Sequence, residues 1–251
     1  MYKVVWFARF LGGIDREEAR RHWREIHGPL GRAVPQIEAY VQSHAIEPLG
    51  PFGVTDTELR FDGYSCCWYA DEEACRESLR TPEWARLGPD GDEFFDMAWF
   101  SGMSAVLDER TIIEGGYGPF KAVWVVRFKD EIRHDPSRAH EAHQHWIETH
   151  GGFGREVPGI GRYVQNHCVA PLGAEGADDS IDLLFDGFSE CWFEDRTAFD
   201  RAMASPEWLE MNADAESFCD VDYIVGGMSA IVEEHVIKGR RPEVSSGRSP
   251  R

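Results

Sequence analysis

The stretch "HWREIHGPLGRAVPQIEAYVQSH", His22 to His44, returns as "HWIETHGGFGREVPGIGRYVQNH", His145 to His167, with 14 of 23 aligned positions identical. The duplication extends in both directions. "VVWFARF" (4–10) reappears as "AVWVVRF" (122–128), and "FDGYSCCWY" (61–69) as "FDGFSECWF" (185–193). "TPEWARL" is answered by "SPEWLEM", and "GMSAVLDERTI" by "GMSAIVEEHVI". The offset grows from 118 through 123 and 124 to 125 along the chain, so the insertions fall between motifs, where loops accept them. The first repeat spans residues 1–113, 114–120 ("EGGYGPF") is a linker, and the second repeat spans 121–237. Residues 238–251, polar and rich in Arg, Ser and Pro, are expected to form a disordered tail.

Each repeat has a readable element order. "YKVVWFARF" is a β-rich run of strand length. "DREEARRHWREIHGPL" opens on an Asp cap and an acidic first turn, and its period places Ala19, Trp23, Ile26 and Leu30 on one helix face. "IEAYVQSHAI" and "TELRFDGYSCCWYA" alternate like strands, "DEEACRESLR" with "TPEWARL" is helical, and "FFDMAWFSGMSAVLDE" closes as a strand. The order β-α-β-β-α-β is that of a ferredoxin-like unit, whose sheet has helices on one face only. The other face must be covered, and a second copy of the same sheet covers it. The expected fold is therefore α+β: two ferredoxin-like repeats fused in tandem, forming a dimeric α/β barrel within one chain.

Composition narrows the function. A chain of 251 residues, 42% of them hydrophobic, can bury a sizeable core. A formal net charge of −19 repels nucleic acid and anionic lipid, so neither is an expected partner. No apolar run is long enough to cross a bilayer and "MYKVVWFARF" lacks a signal-peptide pattern, so a cytoplasmic location is expected. The six cysteines show no CxxC spacing, which argues against a zinc knuckle or a disulfide framework.

The HW-x3-HG-P motif, the downstream Val-Pro and Tyr-Val, and "FDGYSCCWY", together with their second copies, resemble the EthD-domain proteins of the dimeric α/β-barrel superfamily. The resemblance covers residues 1–237. It implies a pocket between sheet and helices in each half, without metal or other cofactor. Superfamily members include lactone isomerases, a muconolactone dehalogenase, polyketide cyclases and cofactor-free monooxygenases, while the EthD namesake is an accessory of ether degradation. The implied ligand is a small hydrophobic or aromatic metabolite.

Candidate site residues follow from position. At 100° per residue, Trp23 and Ile26 lie near the centre of the apolar stripe, and His22 and His27 about 70° to either side. His145 and His150 flank Trp146 in the same way. A histidine on such a border can hold one nitrogen in a cavity while the other is fixed, as a general base requires, or it can simply cap the helix end. In the second strand Tyr40, Gln42 and His44 share a face, as do Tyr163, Gln165 and His167, while Val41 and Val164 point into the barrel. A polar face under helices is either a pocket lining or a satisfied buried network. Read as a pocket, the imidazoles move a proton and the tyrosines donate to a developing oxyanion. Gln42, Gln165, Trp23 and Trp146 are then substrate contacts.

Glu190, which replaces Cys66 at a position where family counterparts often carry an acid, is expected to orient His150 or His167. That makes the second repeat the expected seat of chemistry. Asp62 and Asp186, each followed by Gly, read as turn residues. Arg9 and Arg127 either hold a substrate carboxylate or pair with acidic neighbours. The histidines of "HDPSRAHEAHQHW" look like a metal run, but His143 and His145 diverge on a helix, so no metal site is expected. Two functions fit: a cofactor-independent enzyme (isomerase, lyase or cyclase) acting on a small hydrophobic carbonyl, lactone or polyketide-like metabolite, or a binding and accessory module for such a metabolite, built on Trp6, Trp68, Trp124 and Trp192.

Overall fold

β-Branched and aromatic residues crowd the start of each repeat, and these runs form β1 (Tyr2–Ala8) and, later, its counterpart at Phe120. A computed structural model describes residues 1–242; the rest of the expected tail, 243–251, lies outside the described residues. The first repeat adds β2 (Ala39–Gly50), a two-residue β3 (Gly53–Val54), β4 (Gly63–Tyr69) and β5 (Ser104–Ile113). The second repeat carries β6 (Phe120–Val126), β7 (Arg162–Gly173), β8 (Gly176–Ala177), β9 (Gly187–Phe193) and β10 (Ser229–Lys238). Within the repeats the strand orders are β5-β1-β4-β2 and β10-β6-β9-β7, the ferredoxin-like arrangement in both.

The two sheets are joined at both edges. β5 pairs antiparallel with β7, from Ala105 opposite Pro171 to Ile113 opposite Tyr163, and β10 pairs with β2, from Ala230 opposite Pro48 to Lys238 opposite Tyr40. The main strands thus close into a ring that leaves no long edge exposed. Its interior is filled from both repeats, by Val5, Phe7, Val41 and Trp68 on one side and Val125 and Phe188 on the other. The helices lie outside.

Asp15 caps the first helix by accepting from the Glu18 amide. The helix runs Arg16–His22, then through a π turn at Trp23–His27, then Gly28–Ala33; the second repeat repeats this with a π turn at Trp146–His150. The π turn corrects the helical-wheel reading. A π turn bonds residue i to i+5, and here the Gly28 amide donates to the Trp23 carbonyl. Ile26, expected in the apolar stripe, is instead 51% exposed. Buried glycines seat the tryptophan: a Cβ on Gly63 (φ +153°) would sit 2.8 Å from the Trp23 ring, and one on Gly187 2.7 Å from that of Trp146.

Three element boundaries also differ. The strand expected over "TELRFDGYSCCWYA" begins only at Gly63, and the last strand at Ser104, after a short 3-10 turn at Met97–Phe100. The expected tail begins too early: Lys238 ends β10 and the Arg241 side chain is 7% exposed, held by an acidic cluster described below.

Candidate active site in the first repeat

The polar strand face lies under the helices, and most of it is internally satisfied. Gln42 Nε2 donates to the Trp23 carbonyl (3.0 Å) and to the Tyr40 hydroxyl (2.8 Å); Gln165 Nε2 does the same to Trp146 (2.8 Å) and Tyr163 (3.0 Å). These glutamines serve carbonyls of the π turns and are occupied. His44 stacks on Trp23 at 4.4 Å with Nε2 3.2 Å from Gln42 Oε1, and burial pushes its pKa down to about 2. His167 meets Gln165 Oε1 (3.1 Å) and His143 Nδ1 (2.9 Å), and burial likewise keeps it well below the usual imidazole value. Both rings are neutral packing elements, and the role expected for them as bases is not supported by these partners.

His27 is placed differently. Its Nδ1 lies 2.7 Å from Asp90 Oδ2, while His22 Nε2 lies 3.0 Å from Asp90 Oδ1. Five residues apart, the two imidazoles would diverge on a regular helix; the π turn brings them to one carboxylate. The second repeat builds the same unit, with His150 Nδ1 at 2.9 Å and His145 Nε2 at 2.8 Å from Asp214. A carboxylate accepts, so the nitrogens that meet it carry the hydrogens, and His27 Nε2 keeps a free lone pair. Burial lowers the His27 pKa below its ordinary 6.5 and outweighs the opposing pull of Asp90, so the ring is neutral at pH 7. Asp90 and Asp214 were not singled out in the sequence. The signal was present: they align at the offset of 124 that relates the flanking "PEW" motifs.

His27 lines a cavity of about 420 Å³ between the helices and the sheet, with Trp6, Trp23, Tyr40, Trp84 and Phe95 among its walls. Tyr40 OH accepts from Gln42 Nε2 and from Ser65 Oγ (3.4 Å), and burial raises its pKa to about 12, so it stays protonated with its own hydrogen free to donate. The equivalent space beside His150 is about 60 Å³. One segment accounts for the difference. In the second repeat Pro206–Phe218 is an unbroken helix, with Asn212 and Ala215 among the residues lining the little space that remains. In the first, the matching residues "LGPDG" contain two glycines and a proline, and only a 3-10 turn (Trp84–Arg86) and one short helix (Leu87–Gly91) form. Gly91 stands where Ala215 fills space, and Gly88 where Asn212 does. The small space beside His150 gives no support to the expectation that chemistry sits in the second repeat.

Glu190 is likewise not where it was expected. It pairs across the sheet with Val164, so it points into the barrel, away from His150. There its carboxylate lies 2.5 Å from Lys121 Nζ and 3.7 Å from Lys3 Nζ, and accepts from Tyr64 OH (2.8 Å) and Asn166 Nδ2 (3.0 Å). Glu109 pairs with Lys3 at 2.5 Å, Glu234 with Lys121 at 2.8 Å, and Arg241 reaches both Glu190 and Glu234. Burial alone would raise the Glu190 pKa; the three cations hold it far below the usual carboxylate range. Trp68 and Trp192 lie under the lysine ammoniums at 4.8 and 4.7 Å, inside the barrel and away from the cavity.

The remaining candidates have structural partners. Arg9 pairs with Asp96 (2.5 Å) and Arg127 with Asp130 (2.7 Å), so the acidic-neighbour reading describes both. The aspartates of "FDG" bond the ends of the first strands, Asp62 accepting from the Phe10 amide (2.7 Å) and Asp186 from that of Phe128 (2.8 Å). Among the described residues, no three His, Cys, Asp or Glu side chains gather in a way that could hold a metal ion. No helix among them is long and apolar enough to cross a membrane.

A closed α/β barrel of two tandem repeats, each with a histidine pair on one aspartate under a π-bulged helix, defines the class. The EthD domain model matches the chain twice, at residues 11–98 and 135–222, and the chain belongs to that family. No curated protein matches it. Among solved structures, an anthrone oxidase-like protein is similar over 98% of this chain and 96% of its own, with 12% identity and a TM-score of 0.52. An EthD-family protein from Bacillus halodurans C-125 is 20% identical over 42% of this chain and 94% of its own, with a TM-score of 0.31. A chlorite dismutase variant from Candidatus Nitrospira defluvii is 11% identical over 94% and 92%, with a TM-score of 0.44. At 12% identity the likeness to the anthrone oxidase-like protein concerns the fold alone.

Proposed function

We propose that the first repeat is an enzyme site in which His27 acts as general base on a small, largely apolar metabolite. The observation that carries this reading is an imidazole fixed through Nδ1 by Asp90 on the wall of the cavity. The substrate class is a carbonyl compound, a lactone or a polyketide-like ring with an acidic C–H or O–H. His27 Nε2 takes that proton, and the resulting imidazolium is balanced by Asp90. The Tyr40 hydroxyl donates to the enolate oxygen that develops. Apolar walls exclude water and strengthen both interactions. Return of the proton to another atom gives isomerisation; loss of a leaving group or attack by the enolate gives elimination or cyclisation. The chain's own side chains supply all of the proton chemistry in this scheme.

The test is deuterium exchange. The protein is incubated in D₂O with a panel of small cyclic ketones, lactones and phenolic ketones, and C–H exchange is followed by NMR. Exchange that falls by about 10²–10⁴ in His27→Ala fits the scheme. Exchange unchanged in that variant would sink it. Binding without exchange by the wild type would instead identify an accessory or carrier role.

A further inference from the structure

The wall of the first repeat's cavity is completed by the second repeat: Leu172, Gly173 and Ala174, where β7 turns into β8, line it together with Ile181. The reciprocal hairpin, around Pro51, lies over the second repeat's filled site. There the contact is latched. The Pro51 carbonyl accepts from Trp208 Nε1 at 2.8 Å and from Asn212 Nδ2 at 3.1 Å. The matching residues of the first repeat are Trp84 and Gly88, and Ala174 stands opposite them as the counterpart of Pro51. Glycine has no side-chain amide to offer. The hairpin is tied to the first repeat instead by an exposed ion pair, Arg80 with Glu175 at 3.4 Å, of a kind that contributes little. Ala174 itself is exposed at the cavity's rim.

We propose that the β7–β8 hairpin of the second repeat is the specificity-determining wall of the first repeat's site, and that Gly88 keeps it open by leaving Ala174 unlatched. This rests on the cavity being a ligand site but not on His27 being a base. The size of Ala174 and the distance of the hairpin from Gly88 then set how large a ligand enters. The first repeat's site is also incomplete without the second, because one repeat supplies the helices and the sheet and the other supplies this wall. Restoring the latch is sterically feasible: a Cβ built on Gly88 meets nothing within 4 Å. Since Pro89 restricts the residue before it, the faithful graft is Gly88→Asn with Pro89→Ala, which copies Asn212-Ala213.

The experiment uses 2-naphthol as probe and reads quenching of Trp6, Trp23 and Trp84 fluorescence in the full chain. The wild type is expected to bind. The Gly88→Asn/Pro89→Ala variant should lose at least tenfold in affinity, and Ala174→Trp a similar amount. Gly88→Ala/Pro89→Ala, which strengthens the helix but lacks the amide, separates the two causes: a loss well below that of the Asn variant assigns the effect to the latch, and an equal loss assigns it to the helix and overturns the proposal. Thermal melts confirm that all variants fold. Latched and Ala174→Trp proteins that bind as well as the wild type would overturn the proposal while leaving the site intact. A wild type that does not bind 2-naphthol would take down the cavity reading and this inference with it.

Discussion

The two repeats set the same three side chains, two histidines and an aspartate, in nearly the same geometry, at 2.7 and 3.0 Å in one and 2.9 and 2.8 Å in the other. They enclose about 420 Å³ in one case and about 60 Å³ in the other. The histidine–aspartate set is therefore not what separates them. Space is, and it goes with Gly88, Pro89 and Gly91 weakening one helix where Asn212, Ala213 and Ala215 leave the other continuous. In the second repeat the histidine pair and Asp214 tie the π-bulged helix to the helix above it. In the first, the same tie borders an opening, and it is there that the proposed proton transfer would take place.

The sharpest way to break this comparison is to remove the equivalent bases. His27→Ala should lower exchange by about 10²–10⁴, and Asp90→Asn should follow it because the ring loses its tautomer and its counter-charge. His150→Ala should leave the rate within twofold, since the space of about 60 Å³ beside that imidazole is too small for such a ligand. Equal losses on both sides, measured as initial rates on one substrate, would mean that the second repeat opens in solution.

The repeats differ next in the barrel. Glu190 has no acidic counterpart, because Cys66 occupies the equivalent position. With Glu109 and Glu234 it matches Lys3, Lys121 and Arg241. Glu190→Gln should therefore cost about 3–5 kcal/mol in urea unfolding, the range for stranding a buried charge. Cys66→Ser, with no ion to strand, should cost about 1–3 kcal/mol as an unmatched buried hydroxyl. The naphthol affinity of both should be unchanged, because these residues face the barrel and not the cavity. A stability loss under 1 kcal/mol for Glu190→Gln would show that water reaches the cluster.

Much of this was legible in the sequence because a repeat is a built-in alignment. The strand alternation, the element order and the need for a second sheet all follow from residues quoted at the outset, and so do His27 and Tyr40 as cavity candidates. Glu190 was misplaced because strand register, not spacing, decides which residues share a face: it lies opposite Val164, while Tyr163 lies opposite Cys191. His22 and His27 were split across the helix because a wheel at 100° per residue has no π turn in it. Whether a pocket is open depends on side-chain volumes across three elements, although the glycines of "LGPDG" did mark the place.

The histidines of the second repeat offer a smaller effect. His143, with a pKa pushed down to about 4 by burial, contacts His167, and both are held neutral. The first repeat has Arg20 where His143 stands. A folded-state pKa below the unfolded 6.5 means that the unfolded chain binds more protons in between, so stability falls as pH drops below about 6.5. The slope is about 1.4 kcal/mol per pH unit for each such histidine. Glu190 acts in a separate window: its stabilisation is present above about pH 4.5 and lost as the pH falls toward its depressed value. Urea midpoints between pH 7 and 4.5 should therefore decline, and His143→Gln should flatten that decline by about one histidine. An unaltered slope would mean that His143 titrates normally in the folded protein.

The smallest difference is expected at Arg9 and Arg127, which end equivalent strands. Both are tied to acids, Arg9 to Asp96 with side chains 43% and 30% exposed, and Arg127 to Asp130 with 27% and 69%. Solvent at these exposures screens the pairs, so Arg9→Ala or Arg127→Ala should cost about 0.2–1 kcal/mol in stability. Arg9 has one further contact, its guanidinium lying 5.3 Å from the Trp99 ring centre, which contributes on the same small scale. If the first repeat takes a carboxylate-bearing ligand after all, Arg9 would have to leave Asp96 to meet it. Its removal would then raise the Kd of an anionic probe such as 2-naphthoate far more than that of 2-naphthol. Equal, near-unit ratios for the two probes are the expected result, and a selective loss of naphthoate binding would move Arg9 from the strand end into the site.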